Sequence, residues 1–276
     1  MKLPNWVFPG SAVFFLGACT ALLSPIEQSR SIATQAGFTE VRLPDARLRA
    51  YLKHRPMAVG RVSSVTVYIE SDGAPWRLPD EPPADPTPHK PMVLRMAASD
   101  PSPAVAYLGR PCQYLDAAEL ASCNPALWMR GRFSEDAVAA SNLAVSRIKG
   151  ATGAGRVNLV GYSGGGSMAA LVAARRKDVA CLVTIAAPLD TDAWTRAIDV
   201  SPLDYSLNPA DTASILAGIP QTHFRGAKDD LVPPRTSARF FGKAPGAKVI
   251  DKAGFDHACC WEDAWAQLRA ESCLGP

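Results

Sequence analysis

The chain has 276 residues, of which 47% are hydrophobic, and its formal net charge is only +3. This length is sufficient for one domain with a sizeable core, and no internal repeat or low-complexity tract is present. Because the charge is modest and no basic run occurs, the sequence argues against a nucleic-acid partner.

The first 18 residues have the pattern of an export signal. Lys2 precedes an apolar stretch at residues 6–16, which is too short to span a bilayer as a mature helix. The Leu-Gly-Ala-Cys sequence that ends at Cys19 resembles the lipobox of bacterial lipoproteins, in which the cysteine thiol is acylated. This resemblance implies a signal peptide at residues 1–18 and a lipid anchor and tether at residues 19–36. It also implies a protein bound to the bacterial cell envelope, with the outer membrane favoured, facing the periplasm or the exterior. The alternative is a signal peptide cleaved nearby, with Cys19 incidental or removed.

Predicted strands and helices alternate through the remaining domain, residues 37–276. Apolar runs predict strands, and amphipathic or small-residue segments predict helices. In chain order, the predicted strands are residues 38–43, 48–52, 65–69, 105–108, 157–160, 181–187, 221–225 and 248–250. The predicted helices are residues 91–99, 134–148 and 167–174, with a last helix that starts near Trp261. This alternation predicts an α/β fold in which helices flank a mostly parallel central sheet.

A G-x-S-x-G sequence occupies residues 161–165, between the strand at 157–160 and the helix at 167–174. A sharp strand-to-helix turn holds a serine hydroxyl clear of its neighbours only where the adjacent positions lack bulk, which explains the glycines. The turn also directs the amide of Gly164 and the positive end of the helix at the place where an oxyanion would form. Ser163 is therefore the candidate nucleophile, and the alternative is an ordinary glycine-rich turn.

A nucleophilic serine needs a base, and the chain has four histidines: His54, His89, His223 and His257. In a nucleophile-elbow protein the chain order is serine, acid, histidine, so the first two are excluded by position. His223 lies in a predicted strand, where a structural role is expected. His257 lies in a loop at the carboxyl end of a strand, from which an imidazole can reach the serine. We predict that His257 is the base.

The candidate acid is Asp229, in the loop that leaves the predicted strand at residues 221–225. A carboxylate there can fix the imidazole tautomer and stabilise the imidazolium. Asp230, Asp190 and Asp256 are the alternatives, and for each candidate a solvated loop carboxylate is the competing interpretation.

Taken together, these features resemble the α/β-hydrolase superfamily in its esterase and lipase style. The resemblance covers residues 65–271 and is carried by the G-x-S-x-G motif, by Gly-x-x-Asp-x-x-Val-Pro from Gly226, and by His257 before the last helix. It implies a cofactor-independent serine hydrolase that cleaves a small ester-like substrate, with Ser163 as nucleophile, Asp229 as acid and His257 as base. Thioesters and peptides stay open as substrates because they share the tetrahedral intermediate. The competing hypothesis is a non-catalytic envelope lipoprotein that keeps the scaffold for binding or structure.

The second oxyanion donor departs from the family pattern. Family members commonly carry a His-Gly pair after the third strand, whereas the strand at residues 65–69 continues here into Glu70-Ser71-Asp72-Gly73. The expected donor is a main-chain amide of Asp72 or Gly73, in addition to that of Gly164. The alternative is an ordinary turn, and the carboxylate of Asp72 should point away from a developing negative charge.

The chain has seven cysteines, and six remain when the lipobox cysteine is removed. An exported protein permits disulfides, although spacing alone does not choose among the pairings. Cys112 and Cys123 lie in one loop-like segment, so we expect them to pair. Cys273 is expected to pair with Cys259 or Cys260, which would tie the last helix to the loop of the candidate base.

Cys181 lies in an apolar strand and is expected to be a buried free thiol. Because no paired C-x-x-C spacing occurs, we predict no metal site. The sequence leaves the oligomeric state open.

Overall fold

The computed structural model describes residues 23–43, 47–55, 62–74, 81 and 83–275. The predicted signal peptide at residues 1–18 and the predicted lipidation site Cys19 lie outside the described residues. None of the helices in the described part of the chain has the length and apolar character that crossing a bilayer requires.

The first described helix, α1 (Pro25–Gln35), lies inside the stretch that the sequence assigns to a tether. It begins with a capping box, in which the side chains of Ser24 and Glu27 each accept a hydrogen bond from the other residue's backbone amide. The helix packs on the sheet, where the hydroxyl of Ser29 lies 3.1 Å from that of Tyr51. The folded part of the chain therefore begins before the predicted boundary at residue 37.

Within the described residues, eight strands form one sheet. They are β1 (Thr39–Leu43), β2 (Leu48–His54), β3 (Ser64–Ile69), β4 (Ala104–Leu108), β5 (Arg156–Tyr162), β6 (Val179–Ile185), β7 (Gln221–Gly226) and β8 (Lys248–Lys252). Their order across the sheet is β1-β2-β4-β3-β5-β6-β7-β8. Only β2 and its neighbours β1 and β4 pair antiparallel, and β3 to β8 all run parallel. The predicted α/β class with a mostly parallel sheet is confirmed.

Helices cover both faces of this sheet. After α1 they are α2 (Met92–Ser99), α3 (Ala117–Ala121), α4 (Glu135–Thr152), α5 (Gly164–Ala173), α6 (Thr191–Ala197), α7 (Pro209–Thr212), α8 (Ala238–Lys243) and α9 (Trp265–Glu271). Short 3-10 helices occur at Pro125–Trp128, Ala213–Gly218 and Pro234–Ser237. Helices α1, α2 and α9 pack in one apolar core and α4, α5 and α8 in the other. Strand β3 contributes to both cores, because successive side chains of a strand point to opposite faces.

Some helix boundaries differ from the sequence pattern, and α4 ends at Thr152 rather than at the predicted residue 148. Helix α5 begins directly after Ser163, three residues earlier than its apolar pattern indicates, because the glycines of the motif are themselves helical. Helix α9 begins at Trp265 rather than near Trp261, since the intervening residues form turns. By contrast, Ser134 caps α4 as predicted, and its side chain accepts the amide of Ala137.

Cys112 and Cys123 form a disulfide, as predicted. The bridge lies in a small apolar cluster with Leu115 and Trp128, beside the main sheet. It closes the loop that follows β4.

Two other cysteine predictions are wrong. Cys181 is not a free thiol, because it is bonded to Cys273, with their Cα atoms 5.6 Å apart. The physical reason is that the chain after α9 returns to the sheet, where the amide of Cys273 donates to the hydroxyl of Thr222 at 3.1 Å. Cys259 and Cys260 are bonded to each other, so neither pairs with Cys273.

Candidate active site

Ser163 lies at the junction of β5 and α5, with a backbone φ of 53° and ψ of −128°. Residues other than glycine rarely adopt a positive φ, so this turn is strained. Close packing holds it in place: a Cβ atom on Gly161 would overlap the backbone of Gly165, and one on Gly165 would overlap the carbonyl oxygens of Ile69 and Glu70. The two glycines therefore let the turn sit directly against the carboxyl end of β3.

The structure brings Ser163, His257 and Asp229 into one hydrogen-bonded chain. The Oγ atom of Ser163 lies 3.1 Å from Nε2 of His257, and Nδ1 of His257 lies 2.9 Å from Oδ2 of Asp229. A neutral imidazole in this place donates its Nδ1–H to the carboxylate and accepts the serine hydroxyl proton at Nε2. This is the geometry that general-base activation of a serine requires.

Asp229 follows β7 and is 2% exposed. Its second carboxylate oxygen accepts the amide of Val232 at 2.6 Å, so both oxygens are used. The indole of Trp194 donates to the carbonyl of Leu231 at 2.8 Å, which holds the same loop from the other side. The carboxylate is therefore fixed in position before any substrate binds.

The backbone of His257 is held by two side chains that the sequence reasoning did not identify. Its carbonyl oxygen accepts the hydroxyl of Tyr162 at 2.6 Å and the indole N–H of Trp261 at 3.1 Å. Burial, with the nearby Asp229 carboxylate, raises the pKa of Tyr162 well above its usual value, so the hydroxyl stays a donor. Tyr162 is the second residue of the G-x-S-x-G motif, where sequence alone assigns no role to the side chain.

The alternative acids have other functions in the structure. Asp256 accepts the amides of the two residues at 258 and 259 and so closes the turn after the candidate base. Asp190 caps α6 and pairs with Arg239 at 2.8 Å. Burial opposes ionisation of Asp190, but its contacts with Arg239 and Asn208 outweigh burial and lower its pKa to about 2. Asp230 is exposed. In the described structure, the carboxylate that contacts the imidazole of His257 is that of Asp229.

His223 is a buried residue of β7, as the sequence predicts. One ring nitrogen lies 2.8 Å from the hydroxyl of Thr184 and the other 3.1 Å from the amide oxygen of Gln221. Burial lowers the pKa of His223 to about 3, so the ring is neutral at physiological pH. Both nitrogens are occupied inside the sheet, and the residue has no access to Ser163.

The residues proposed for the oxyanion hole differ in their surroundings. The amide of Gly73 donates to the hydroxyl of Ser71 at 3.3 Å, and a Cβ atom on Gly73 would overlap the carbonyl of Pro86. The amide of Asp72 has no hydrogen-bond acceptor among the described residues. The side chain of Asp72 lies against Gly164, since a Cβ atom there would overlap the carboxylate. Of the two candidates on this loop, Asp72 is therefore the one whose amide is not already bonded to an acceptor among the described residues.

Known proteins resemble this chain in sequence and in fold. The model of the alpha/beta hydrolase fold family matches residues 110–208. Est1E from Butyrivibrio proteoclasticus is 13% identical with a TM-score of 0.58, and the match covers 85% of this chain and 98% of that one. Puromycin hydrolase is 18% identical with a TM-score of 0.60, and the match covers 85% of this chain and 38% of that one. Acylaminoacyl peptidase from Pyrococcus horikoshii is 12% identical with a TM-score of 0.58, and the match covers 80% and 37% of the two chains.

No curated protein sequence matches the chain. The chain spans nearly all of Est1E but less than two fifths of the other two structures. The sheet order, the strand-turn-helix at Ser163 and the family match agree with one another. The chain therefore has the α/β-hydrolase fold.

Proposed function

We propose that the protein is a serine hydrolase that cleaves a carboxylic ester through an acyl-enzyme on Ser163. The observation that carries this proposal is the hydrogen-bonded chain from Ser163 through His257 to Asp229, at the carboxyl edge of the parallel strands. Ligands of α/β sheets bind at that edge, because the loops that follow the strands converge there.

In the proposed mechanism, Oγ of Ser163 attacks the substrate carbonyl while Nε2 of His257 takes the hydroxyl proton. The carboxylate of Asp229 stabilises the imidazolium that forms. The amides of Gly164 and Asp72 donate to the oxyanion of the tetrahedral intermediate. His257 then returns the proton to the leaving alkoxide, which releases the alcohol and leaves Ser163 acylated. A water molecule, deprotonated by the same imidazole, hydrolyses the acyl-enzyme.

The ester class is the default, and an amide class is the second candidate. Two of the similar structures are an acylaminoacyl peptidase and a puromycin hydrolase. Their names describe those proteins, and the same tetrahedral chemistry operates on amides. A panel of chromogenic esters of increasing acyl length, with matched anilides, separates the classes: we expect turnover of esters, and faster turnover of anilides would replace the ester assignment.

Labelling with a fluorophosphonate probe tests the proposal against the non-catalytic alternative. We expect the wild-type protein to react and the Ser163→Ala variant to lose labelling and ester hydrolysis by about 10⁴-fold or more. Ser146→Ala, which changes an exposed serine of α4, is the matched control and should react like the wild type. A wild-type protein that fails to react, or labelling that survives Ser163→Ala, would contradict the assignment.

We also propose that the protein is a lipoprotein of the bacterial cell envelope, anchored through Cys19. The lipobox-like sequence and the short apolar stretch before it support this proposal. Expression of the full chain in a Gram-negative host with an alkyne-tagged palmitate tests it, and outer-membrane fractions should contain the labelled protein. We expect Cys19→Ser to abolish incorporation, and equal incorporation in the variant would contradict the anchor.

A further inference from the structure

A carboxylate lies beside the proposed oxyanion hole, where a negative charge is unfavourable. Asp72 follows β3, and its carboxylate occupies the space that a side chain on Gly164 would need. The amide of Gly164 is one of the two proposed donors to the oxyanion. An unpaired carboxylate in this place would raise the energy of the anionic intermediate, because like charges repel strongly where water is largely excluded.

Two arginines compensate for this charge. Arg110 donates from Nη1 to Oδ1 of Asp72 at 3.1 Å, and Arg132 donates from Nη1 to Oδ2 at 2.9 Å. The side chains of Arg110 and Arg132 are only 4% and 13% exposed and that of Asp72 is 24% exposed, so solvent screens these pairs only in part. Burial opposes ionisation of Asp72, but Arg132 and Arg110 outweigh burial and hold its pKa below the usual range. The three side chains of Asp72, Arg110 and Arg132 together carry one net positive charge. Arg110 also interacts with the buried Glu70, whose pKa burial raises.

The cluster is also held by backbone contacts from separate loops. Arg110, which follows β4, donates from Nη2 to the carbonyl of Arg132 at 2.6 Å. Arg132, which precedes α4, donates from Nε to the carbonyl of Met129 at 2.8 Å. The side-chain amide of Gln113 donates from Nε2 to the carbonyl of Ser71 at 3.1 Å, which holds the Asp72 loop itself. The guanidinium groups are therefore fixed relative to the loop that carries the proposed oxyanion donor.

We propose that Arg110 and Arg132 act as positioning residues for the hydrolase reaction, by offsetting the negative field that the carboxylate of Asp72 imposes on the oxyanion. This inference rests on the proposed function. In the same arrangement, the ion pairs fix the carboxylate and thereby orient the amide of Asp72. These ion pairs organise the loop after β3, which is where the family pattern has its His-Gly pair.

A charge-based role and a merely structural role predict different kinetics. Removal of one positive charge by Arg132→Gln brings the cluster from one net positive charge to neutrality. We expect kcat to fall by about ten- to a hundredfold, with KM changed by less than about threefold, because the lost stabilisation acts on the transition state. The double variant Asp72→Asn with Arg132→Gln restores one net positive charge, so kcat should return to within about fivefold of the wild type. Arg132→Lys, which keeps the charge, should also retain most of kcat.

The matched control is Arg130→Gln, which removes a neighbouring arginine that is 50% exposed and pairs with Asp204. It should leave kcat unchanged. All variants should be compared by ester hydrolysis and by thermal unfolding. If the Arg132→Gln variant does not fold, the double variant and Arg132→Lys still decide the matter, because neither carries an additional unpaired carboxylate.

A double variant whose kcat is as low as that of Arg132→Gln or lower, or an Arg132→Gln variant with wild-type kcat, would overturn the inference. If the wild-type protein neither hydrolyses esters nor reacts with fluorophosphonate, the proposed function and the inference both fail. If the wild-type protein hydrolyses esters but kcat does not depend on the cluster charge, the inference fails and the proposed function stands.

Discussion

His223 and His257 show how the same imidazole acquires different properties in two regions of one sheet. His223 lies within β7, where Thr184 and Gln221 occupy both ring nitrogens and burial lowers its pKa to about 3. His257 lies in the loop after β8, 18% exposed, with one nitrogen on a buried carboxylate and the other on Ser163. The difference lies in position relative to the carboxyl edge of the strands, since only there do the loops bring an acid and a nucleophile to the ring.

Replacement of each histidine by glutamine is the strongest test of this difference between the two residues. In His257→Gln we expect kcat for ester hydrolysis to fall by about 10⁴-fold, because no group remains to accept the proton of Ser163. In His223→Gln we expect kcat to change by less than about tenfold, since the ring is remote from the hydroxyl. Steady-state kinetics on one chromogenic ester measures both, and similar losses in the two variants would contradict the assignment of the base.

The buried carboxylate on His257 can be tested separately. In Asp229→Asn we expect kcat to fall by about 10⁴-fold while KM changes little, because an amide can donate to Nδ1 and favour the wrong imidazole tautomer. Asp230→Asn is the matched control, since that neighbouring side chain is exposed. A larger fall in kcat in Asp230→Asn than in Asp229→Asn would mean that Asp230 is the acid.

The pKa of His223 predicts how stability depends on pH. The folded state keeps this ring neutral down to about pH 3, whereas an unfolded chain protonates it near its usual value of 6.5. The unfolded state therefore binds more protons between these values, and the contribution to stability is lost as pH falls through this window. Between pH 6.5 and pH 4 we expect the wild type to lose about 3 kcal/mol more of its free energy of unfolding than His223→Gln does.

Urea unfolding at a series of pH values measures this difference. The exposed His89→Gln is the matched control and should follow the wild type. Parallel pH curves for the wild type and His223→Gln would show that His223 is not the buried neutral histidine that the structure describes.

A smaller effect is expected where the loop of His257 is attached to β5. Tyr162→Phe removes the hydroxyl that donates to the carbonyl of His257 and leaves the indole of Trp261 in place. The loss of one of two hydrogen bonds should lower kcat by about two- to tenfold through a less well-oriented imidazole. Tyr205→Phe, at a side chain that is 71% exposed, is the control. Unchanged kcat in Tyr162→Phe would mean that Trp261 holds the loop by itself.

Sequence reasoning identified the features that depend on neighbouring residues. The strand-turn-helix at Ser163 and the cap of α4 at Ser134 are determined by a few neighbouring residues, and both occur in the structure. The capping box at Ser24 and Glu27 was equally local, and it was missed because the segment was interpreted as a tether.

The remaining features depend on distant parts of the chain. Asp72 meets Arg110 and Arg132 across 38 and 60 residues, and no local pattern signals such a meeting. Cys181 and Cys273 are separated by 92 residues, and their pairing follows from the return of the chain after α9. Such contacts are decided by the packing of the whole sheet, which is why spacing alone misassigned these two cysteines.

The most direct test of the central claim is the rate at which a fluorophosphonate forms an adduct on Ser163, located by peptide mass spectrometry. The account predicts an adduct on the peptide that contains Ser163 in the wild type and in His223→Gln at comparable rates, with a rate lower by about 10³-fold or more in His257→Gln. Equal rates in the wild type and His257→Gln, or an adduct on another serine, would contradict the claim that His257 activates Ser163.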